Sequence, residues 1–238
     1  SLPSRGLGDV YKRQVSIASE FNLPVICDNT FASPFNQRPL ELGADMVVSS
    51  STKYLGGHSD IVGGSIVIKE NKEYAEKISY IQNAVGAIPS PFDCYLLTRS
   101  IKTLSVRMKQ HNENAIAVSN FLTNHSKINK VFFPGIDERY KEVAAKQMDG
   151  FGGMMSFILD TNIDGVKSFL KNLNIFTLAE SLGGVESLIE HPAIMTHASI
   201  DPSIREKLGI SDTLLRISVG IEDVDDLIAD LDQALSKI

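Results

Sequence analysis

The chain has 238 residues, a formal net charge of −6 and 43% hydrophobic residues, with a pI near 5.4. That length accommodates a large core and two subdomains, and the acidic balance argues against nucleic acid or an anionic membrane as partner. Two cysteines give neither a disulfide framework nor a metal spacing, and neither a membrane-length apolar run nor a targeting signal is visible, so the expected compartment is the cytoplasm.

Residues 4–14 read S-R-G-L-G-D-V-Y-K-R-Q, the in-frame translation of a transposase-based sequencing adaptor. Residues 1–14 are therefore set aside as non-native, and the gene read is expected to begin mid-protein. Residues 15–21 have the look of the end of an amphipathic helix, stopped by Asn22 and Pro24. Val25-Ile26-Cys27 is a continuous apolar run, which predicts a buried parallel strand ending in Asp28. Cys27 is read as a small buried hydrophobe, with a reactive thiol as the alternative. In open α/β sheets ligands sit at the carboxyl ends of strands, so Asp28 is either a functional carboxylate or a turn aspartate.

Residues 39–45 predict a short helix closing on Gly43, and residues 46–48 the next buried strand. That strand leads into Ser49-Ser50-Ser51-Thr52-Lys53-Tyr54-Leu55-Gly56-Gly57-His58. An ammonium at the end of a buried strand must be paired, solvated or used chemically. Lysines in use form Schiff bases, most often with pyridoxal phosphate, and Ser50 and Thr52 can donate to phosphate oxygens. The alternative is a surface turn with a solvated lysine.

A third strand is predicted at 63–68, a helix at 70–83, a rigid break at Pro89-Ser90-Pro91 and one long helix over 92–125, interrupted near Gln110-His111-Asn112. Beyond it the pattern predicts strands at 130–133, 154–159 and 214–219 and helices at 137–148, 164–173 and 224–238, a smaller α+β domain. The expected division is 15–112 for the cofactor-binding part and 113–238 for the small domain. Arg216 stands inside an apolar strand, as an anchor for a substrate carboxylate or as one half of a structural ion pair. Ser181-Leu182-Gly183-Gly184 lets a backbone approach closely or is an ordinary loop. The histidines show no close metal spacing, so no metal is expected; His58 is read as structural, with a supporting role beside Lys53 as the alternative.

The strings C-D-N-T-F-A-S-P, S-S-T-K-Y-L-G-G-H-S-D, F-T-L-A-E-S-L-G-G-V-E-S-L-I-E-H-P-A-I-M-T-H-A-S and G-I-S-D-T-L-L-R-I-S-V-G-I-E-D resemble the cystathionine γ-synthase/γ-lyase family, the pyridoxal-phosphate-dependent transsulfuration enzymes, over residues 15–238. The resemblance implies an α/β, aspartate-aminotransferase-like (fold type I) large sheet domain, here incomplete, plus a smaller C-terminal domain. It implies Lys53 as the Schiff-base lysine, Asp28 as the pyridinium partner, Ser50 and Thr52 as phosphate ligands, and Arg216 with Ser181 as the substrate-carboxylate site. Glu180 looks like the glutamate of the cystathionine-handling branches, where methionine γ-lyases carry an apolar residue. The implied activity is γ-elimination of cystathionine, with γ-synthase, a homoserine-ester sulfhydrylase or an inactive folded fragment as alternatives. The implied partners are a small amino-acid substrate and three further copies in a dimer of dimers, with no nucleic acid and no membrane. The family's large domain starts well upstream of Val15, so its glycine-containing phosphate loop, its ring-stacking tyrosine and its N-terminal arm are expected to be missing, which would leave apolar sheet edges exposed.

Overall fold

The computed structural model describes residues 7–138 and 140–238, with side chains from Arg13 onward. Residues 1–6 of the segment set aside above lie outside the described residues; its remainder is helical, because α1 runs from Leu7 to Glu20 across the 14/15 boundary. Asn22, at φ +52°, ends that helix as its position predicts.

The first sheet has the order β1 (Ile26–Asp28), β2 (Met46–Ser50), β3 (Gly64–Ile68). β1 and β2 are parallel, with Asp28 opposite Val48, so Asp28 and the chain entering Lys53 leave the same edge of one sheet. β3 returns antiparallel to β2, with Gly64 opposite Ser50. The expectation of strands buried on both faces is corrected here. Cys27 is buried, but Ile26 is 58% exposed, and Ile66 and Val67, which alternate to opposite faces of β3, are each about half exposed. Tyr80, Val85, Phe92 and Tyr95 on α3 (Lys72–Val85) and α4 (Pro91–Ile101) add to the uncovered apolar surface.

The helix expected at 39–45 is instead a run of i to i+3 turns, with Glu41, Leu42 and Gly43 bonded back to Arg38, Pro39 and Leu40. The one-turn helix in this region is α2 (Ser33–Asn36). Tertiary bonds hold it: the Asn36 and Asn112 side-chain amides bond each other reciprocally at 2.9 and 3.1 Å, and Asp149 N–H donates to the Asn36 carbonyl. The long helix also breaks elsewhere than expected. α4 ends at Ile101 and α5 runs unbroken from Leu104 to Asn124. At the break, Arg107 reaches back from the first turn of α5 to the Ser100 carbonyl and the Thr103 hydroxyl. Gln110-His111-Asn112 stays helical because its polar side chains are satisfied sideways, within α5 and across to other elements.

The second sheet has the order β4 (Ile128–Phe132), β5 (Met154–Leu159), β8 (Leu214–Ser218), β7 (Leu188–Glu190), β6 (Thr177–Leu178), antiparallel except for β6 with β7. β7 and β6 are not among the expected strands; they are too short to carry a period of their own, and β7 forms by pairing on β8 and β6 by pairing on β7. The alternation of β5 buries Met155, Phe157 and Leu159 against α5, α7 (Ile163–Asn172) and α9 (Val224–Leu235), where Phe169, Leu227 and Leu231 are fully buried. Asp230 on α9 ties this layer to the turn before β6, accepting backbone N–H bonds from Asn174, Ile175 and Phe176. Burial pushes its carboxyl up, but those bonds and Gln233 outweigh it and hold the pKa below the ordinary value.

Candidate active site

Lys53 lies in a π-turn, Ser51–Leu55, that begins where β2 stops, and its backbone (φ −93°, ψ −134°) departs from helical values. Two elements pin the turn from outside. Ser51 N–H donates to the Gly63 carbonyl and Gly63 N–H to the Thr52 hydroxyl, which fastens it to the start of β3. The Thr30 hydroxyl accepts Ser50 N–H at 2.9 Å, which fastens it to the loop after Asp28.

From below, the turn rests on Tyr54, which is fully buried. Its hydroxyl accepts the Gly153 N–H at 3.0 Å and hydrogen-bonds with Ser218, while burial pushes its pKa up to about 12. Its ring stands edge-on to His111, 5.1 Å away, and its carbonyl accepts from Arg107 Nη1 at 2.7 Å. Gly57, at φ +68°, leaves the room that this guanidinium occupies: a Cβ there would lie 2.1 Å from Arg107 Nη1. The phenol thus links the lysine turn to the second sheet. Tyr54→Phe is expected to strand a buried N–H at Gly153 and cost about 1–3 kcal/mol, read as a lower urea midpoint at unchanged m-value.

The loop after β6 closes the site from the second sheet. Gly183 sits at φ +76°, and a Cβ on it would lie 2.8 Å from Tyr54 N and 3.2 Å from the Lys53 carbonyl carbon. Of the two readings of Ser181-Leu182-Gly183-Gly184, close approach is the one observed, and what it approaches is the lysine backbone. Ser181 Oγ then lies 3.3 Å from Lys53 Nζ. Lys53 is half-buried, and no carboxylate among the described residues comes within ion-pair distance of it.

The other candidates are placed as follows. Asp28 is exposed; one oxygen accepts Thr30 N–H at 3.0 Å in an Asx turn, and the other has no partner among the described residues. The Ser50 and Thr52 hydroxyls make long 3.4 Å contacts to the Gly63 carbonyl. Arg216 Nη2 donates to the Glu180 carbonyl at 2.9 Å and is ion-paired with the buried carboxylate of Glu190, so the ion-pair alternative for this arginine is present in the structure. The Glu180 side chain is exposed and unpaired among the described residues. His58 caps its own loop, its Nδ1 2.7 Å from the Gly56 carbonyl. Among the described residues no group of His, Cys, Asp and Glu could hold a metal. A cleft of about 350 Å³ between β3 and the α3–α4 turn is lined by Ser51, Gly63 and Asp93 but by none of Asp28, Lys53, Ser181 or Arg216.

The sequence profile of a family described as Cys/Met metabolism PLP-dependent enzyme matches residues 5–236. The chain belongs to that family. This Cys/Met-metabolism chain is 54% identical over 214 residues to the cystathionine γ-lyase of Dictyostelium discoideum, an alignment covering 90% of it and 55% of that protein. It is 53% identical over 220 residues to a cystathionine β-lyase of Coxiella burnetii, covering 92% and 57%. Among solved structures it superposes on cystathionine γ-synthase from Xanthomonas oryzae pv. oryzae in complex with cystathionine, with a TM-score of 0.90, 45% identity, and coverage of 95% of this chain and 59% of that one. Cystathionine γ-lyase from Lactobacillus plantarum complexed with L-serine gives a TM-score of 0.89 and 44% identity, over 96% and 60%. The fold-type-I architecture is therefore borne out. The chain spans a little over half the length of these relatives, whose names divide among three reactions at similar identity.

The residues present fit pyridoxal phosphate, the cofactor of the family. A half-buried amine and a carboxylate oxygen with no counter-ion or partner among the described residues, on neighbouring parallel strands or their exits, share one rim with two hydroxyls whose own protons make only long 3.4 Å contacts. Three residues of this centre escaped the sequence reading: Tyr54, Arg107 and Glu190. Glu190 carried a usable signal, since a carboxylate directly after the apolar pair Leu188-Ile189 is the pattern that singled out Asp28.

Proposed function

We propose that the protein is a pyridoxal-phosphate-dependent carbon–sulfur lyase that γ-eliminates cystathionine, with water consumed and cysteine, 2-oxobutanoate and ammonia released. One observation carries this reading: Lys53 Nζ and Arg216 Nη2 are bonded to consecutive residues of one loop, Ser181 Oγ and the Glu180 carbonyl. The proposed proton-moving amine and carboxylate-binding cation are thus held by neighbouring residues, one of which, Glu180, carries the side chain that would distinguish cystathionine.

When bound, pyridoxal phosphate supplies a carbonyl that condenses with amines and a ring that accepts the electron pair released at the substrate Cα. The chain's residues do the rest. Lys53 holds the cofactor and, once freed, takes the Cα proton on Nζ, with the Ser181 hydroxyl keeping that nitrogen in place. The free oxygen of Asp28 is available to the pyridine nitrogen, and the Ser50 and Thr52 hydroxyls to phosphate oxygens. Arg216 fixes the α-carboxylate, which sets Cα in front of Lys53. The exposed carboxylate of Glu180 receives the distal ammonium of cystathionine, for which an apolar side chain would be unsuited. We place the active protein in the cytoplasm, as a dimer of dimers.

The test is product analysis of the chain loaded with pyridoxal phosphate and cystathionine. 2-Oxobutanoate with cysteine is expected. Pyruvate with homocysteine would replace γ- by β-elimination, cystathionine made from an O-acylhomoserine plus cysteine would favour the synthase, and the absence of any keto acid would overturn the lyase reading for this chain.

A further inference from the structure

Glu190 ends β7 directly opposite Arg216 on β8. It is 1% exposed, whereas its partner's side chain keeps 20% of its surface open. One carboxylate oxygen accepts the Thr196 hydroxyl; the other stands in ion-pair contact with Arg216 Nη2 and is buried with no hydrogen-bond partner among the described residues. Arg216 therefore meets the protein through a single nitrogen, which carries Glu190 and the Glu180 carbonyl, and its Nε and Nη1 have no partner among the described residues.

We propose that Glu190 is the positioning residue of the carboxylate site: a buried counter-ion, itself held by Thr196, that fixes the plane of the Arg216 guanidinium and turns its remaining N–H groups toward an incoming α-carboxylate. The inference rests on Arg216 being the carboxylate anchor of the proposed function and adds what aims it. The physics is that of preorganisation. A guanidinium on a flexible stem binds a planar carboxylate well only when its fork is held, and a buried anion on one nitrogen holds it without occupying the others. Burial makes the tie strong, since neither group of the pair is well screened by water on the Glu190 side. The carboxylate also keeps Arg216 from standing as an unpaired cation when no substrate is bound.

The test uses the ¹⁵N-labelled full chain and the Nε–Hε resonance of Arg216, assigned by its loss in Arg216→Lys. L-Alanine and L-alaninamide are the probes, because they differ only in the carboxylate. In the wild type, alanine is expected to shift the resonance saturably and alaninamide to leave it unmoved. Glu190→Gln, which keeps the shape and removes the charge, is expected to broaden the resonance and weaken alanine binding about tenfold, the scale of loss when a binding group is misplaced by a fraction of an ångström. Thr196→Val removes only the hydroxyl from an exposed side chain, keeps the fold, and is expected to weaken binding in the same direction by a smaller factor. Unchanged or tighter alanine binding in Glu190→Gln, or in Thr196→Val should the first variant fail to fold, overturns the positioning role while leaving Arg216 as anchor. A wild-type resonance that ignores alanine removes the anchor itself, and the inference falls with it.

Discussion

Lys53→Ala is expected to abolish site-selective attachment of pyridoxal phosphate. Incubation of the wild-type chain with the cofactor, reduction with borohydride and peptide mapping by mass spectrometry should place the label on Lys53. The physical ground is the environment of that amine. It is half-buried, it faces a neutral hydroxyl 3.3 Å away, and no carboxylate among the described residues pairs with it. Exposed lysines such as Lys72, Lys77 and Lys141 are, by contrast, paired with glutamates within one helical turn or its flank. In the alanine variant the label should fall to the level of these surface lysines. Under the proposed function, cystathionine turnover should fall by at least about a thousandfold, since the proposed nucleophile and proton carrier are lost together. A wild-type label spread evenly over the surface, or a Lys53→Ala variant that labels and turns over normally, would remove Lys53 from its role.

The second large effect is on stability against pH, and it comes from His111. Burial, with Arg107 adding to it, lowers its pKa from 6.5 to about 4, against opposing pulls from the Val219 carbonyl and Glu186. The ring has no exposed surface, and its Nε2 has no partner among the described residues. The unfolded chain takes up a proton at this histidine below about pH 6.5, while the folded chain does so only near 4. The unfolded state thus binds more protons between those values, and stability falls as pH drops through that window. The contribution is full above 6.5 and lost by about 4, with a span of about 3 kcal/mol. Urea midpoints at pH 7.5 and 4.5 should therefore differ strongly in the wild type and much less in His111→Gln. Some slope will remain, because burial also lowers His191. The carboxyl of Asp230 belongs to a more acidic range, below its ordinary 3.8. Equal pH slopes in the two proteins would show that the buried ring is not the group responsible.

What could be read in the chain beforehand follows from where the determining contacts lie. Met46-Val47-Val48 leading into the hydroxyl-rich lysine turn was legible, because a buried strand and its polar exit are written in consecutive residues. Met154–Leu159 was legible to the residue for the same reason. The break at Lys102-Thr103 was not, since it is stabilised by Arg107 reaching carbonyls on two separate elements. Gln110-His111-Asn112 misled because three polar residues in a row look like an interruption until the groups they bond to are known. Residues 39–45 misled because a proline start and a glycine stop mark a turn run as well as a helix. The site divides likewise. Lys53, Asp28 and Arg216 stood out as charges at strand ends or inside apolar runs, whereas the anchor beneath the lysine was an unremarked tyrosine next to it.

The Tyr54 tether also bears on how the gene would respond to damage. The codons that set the position of one amine are not neighbours of codon 53. They include 107, whose arginine holds the Tyr54 carbonyl, 153, whose amide holds the phenol, and 183 and 218, which let the closing loop meet the turn. An allele that has lost the lysine's function can therefore carry its lesion more than a hundred codons downstream, in what a linear map would assign to the other half of the protein.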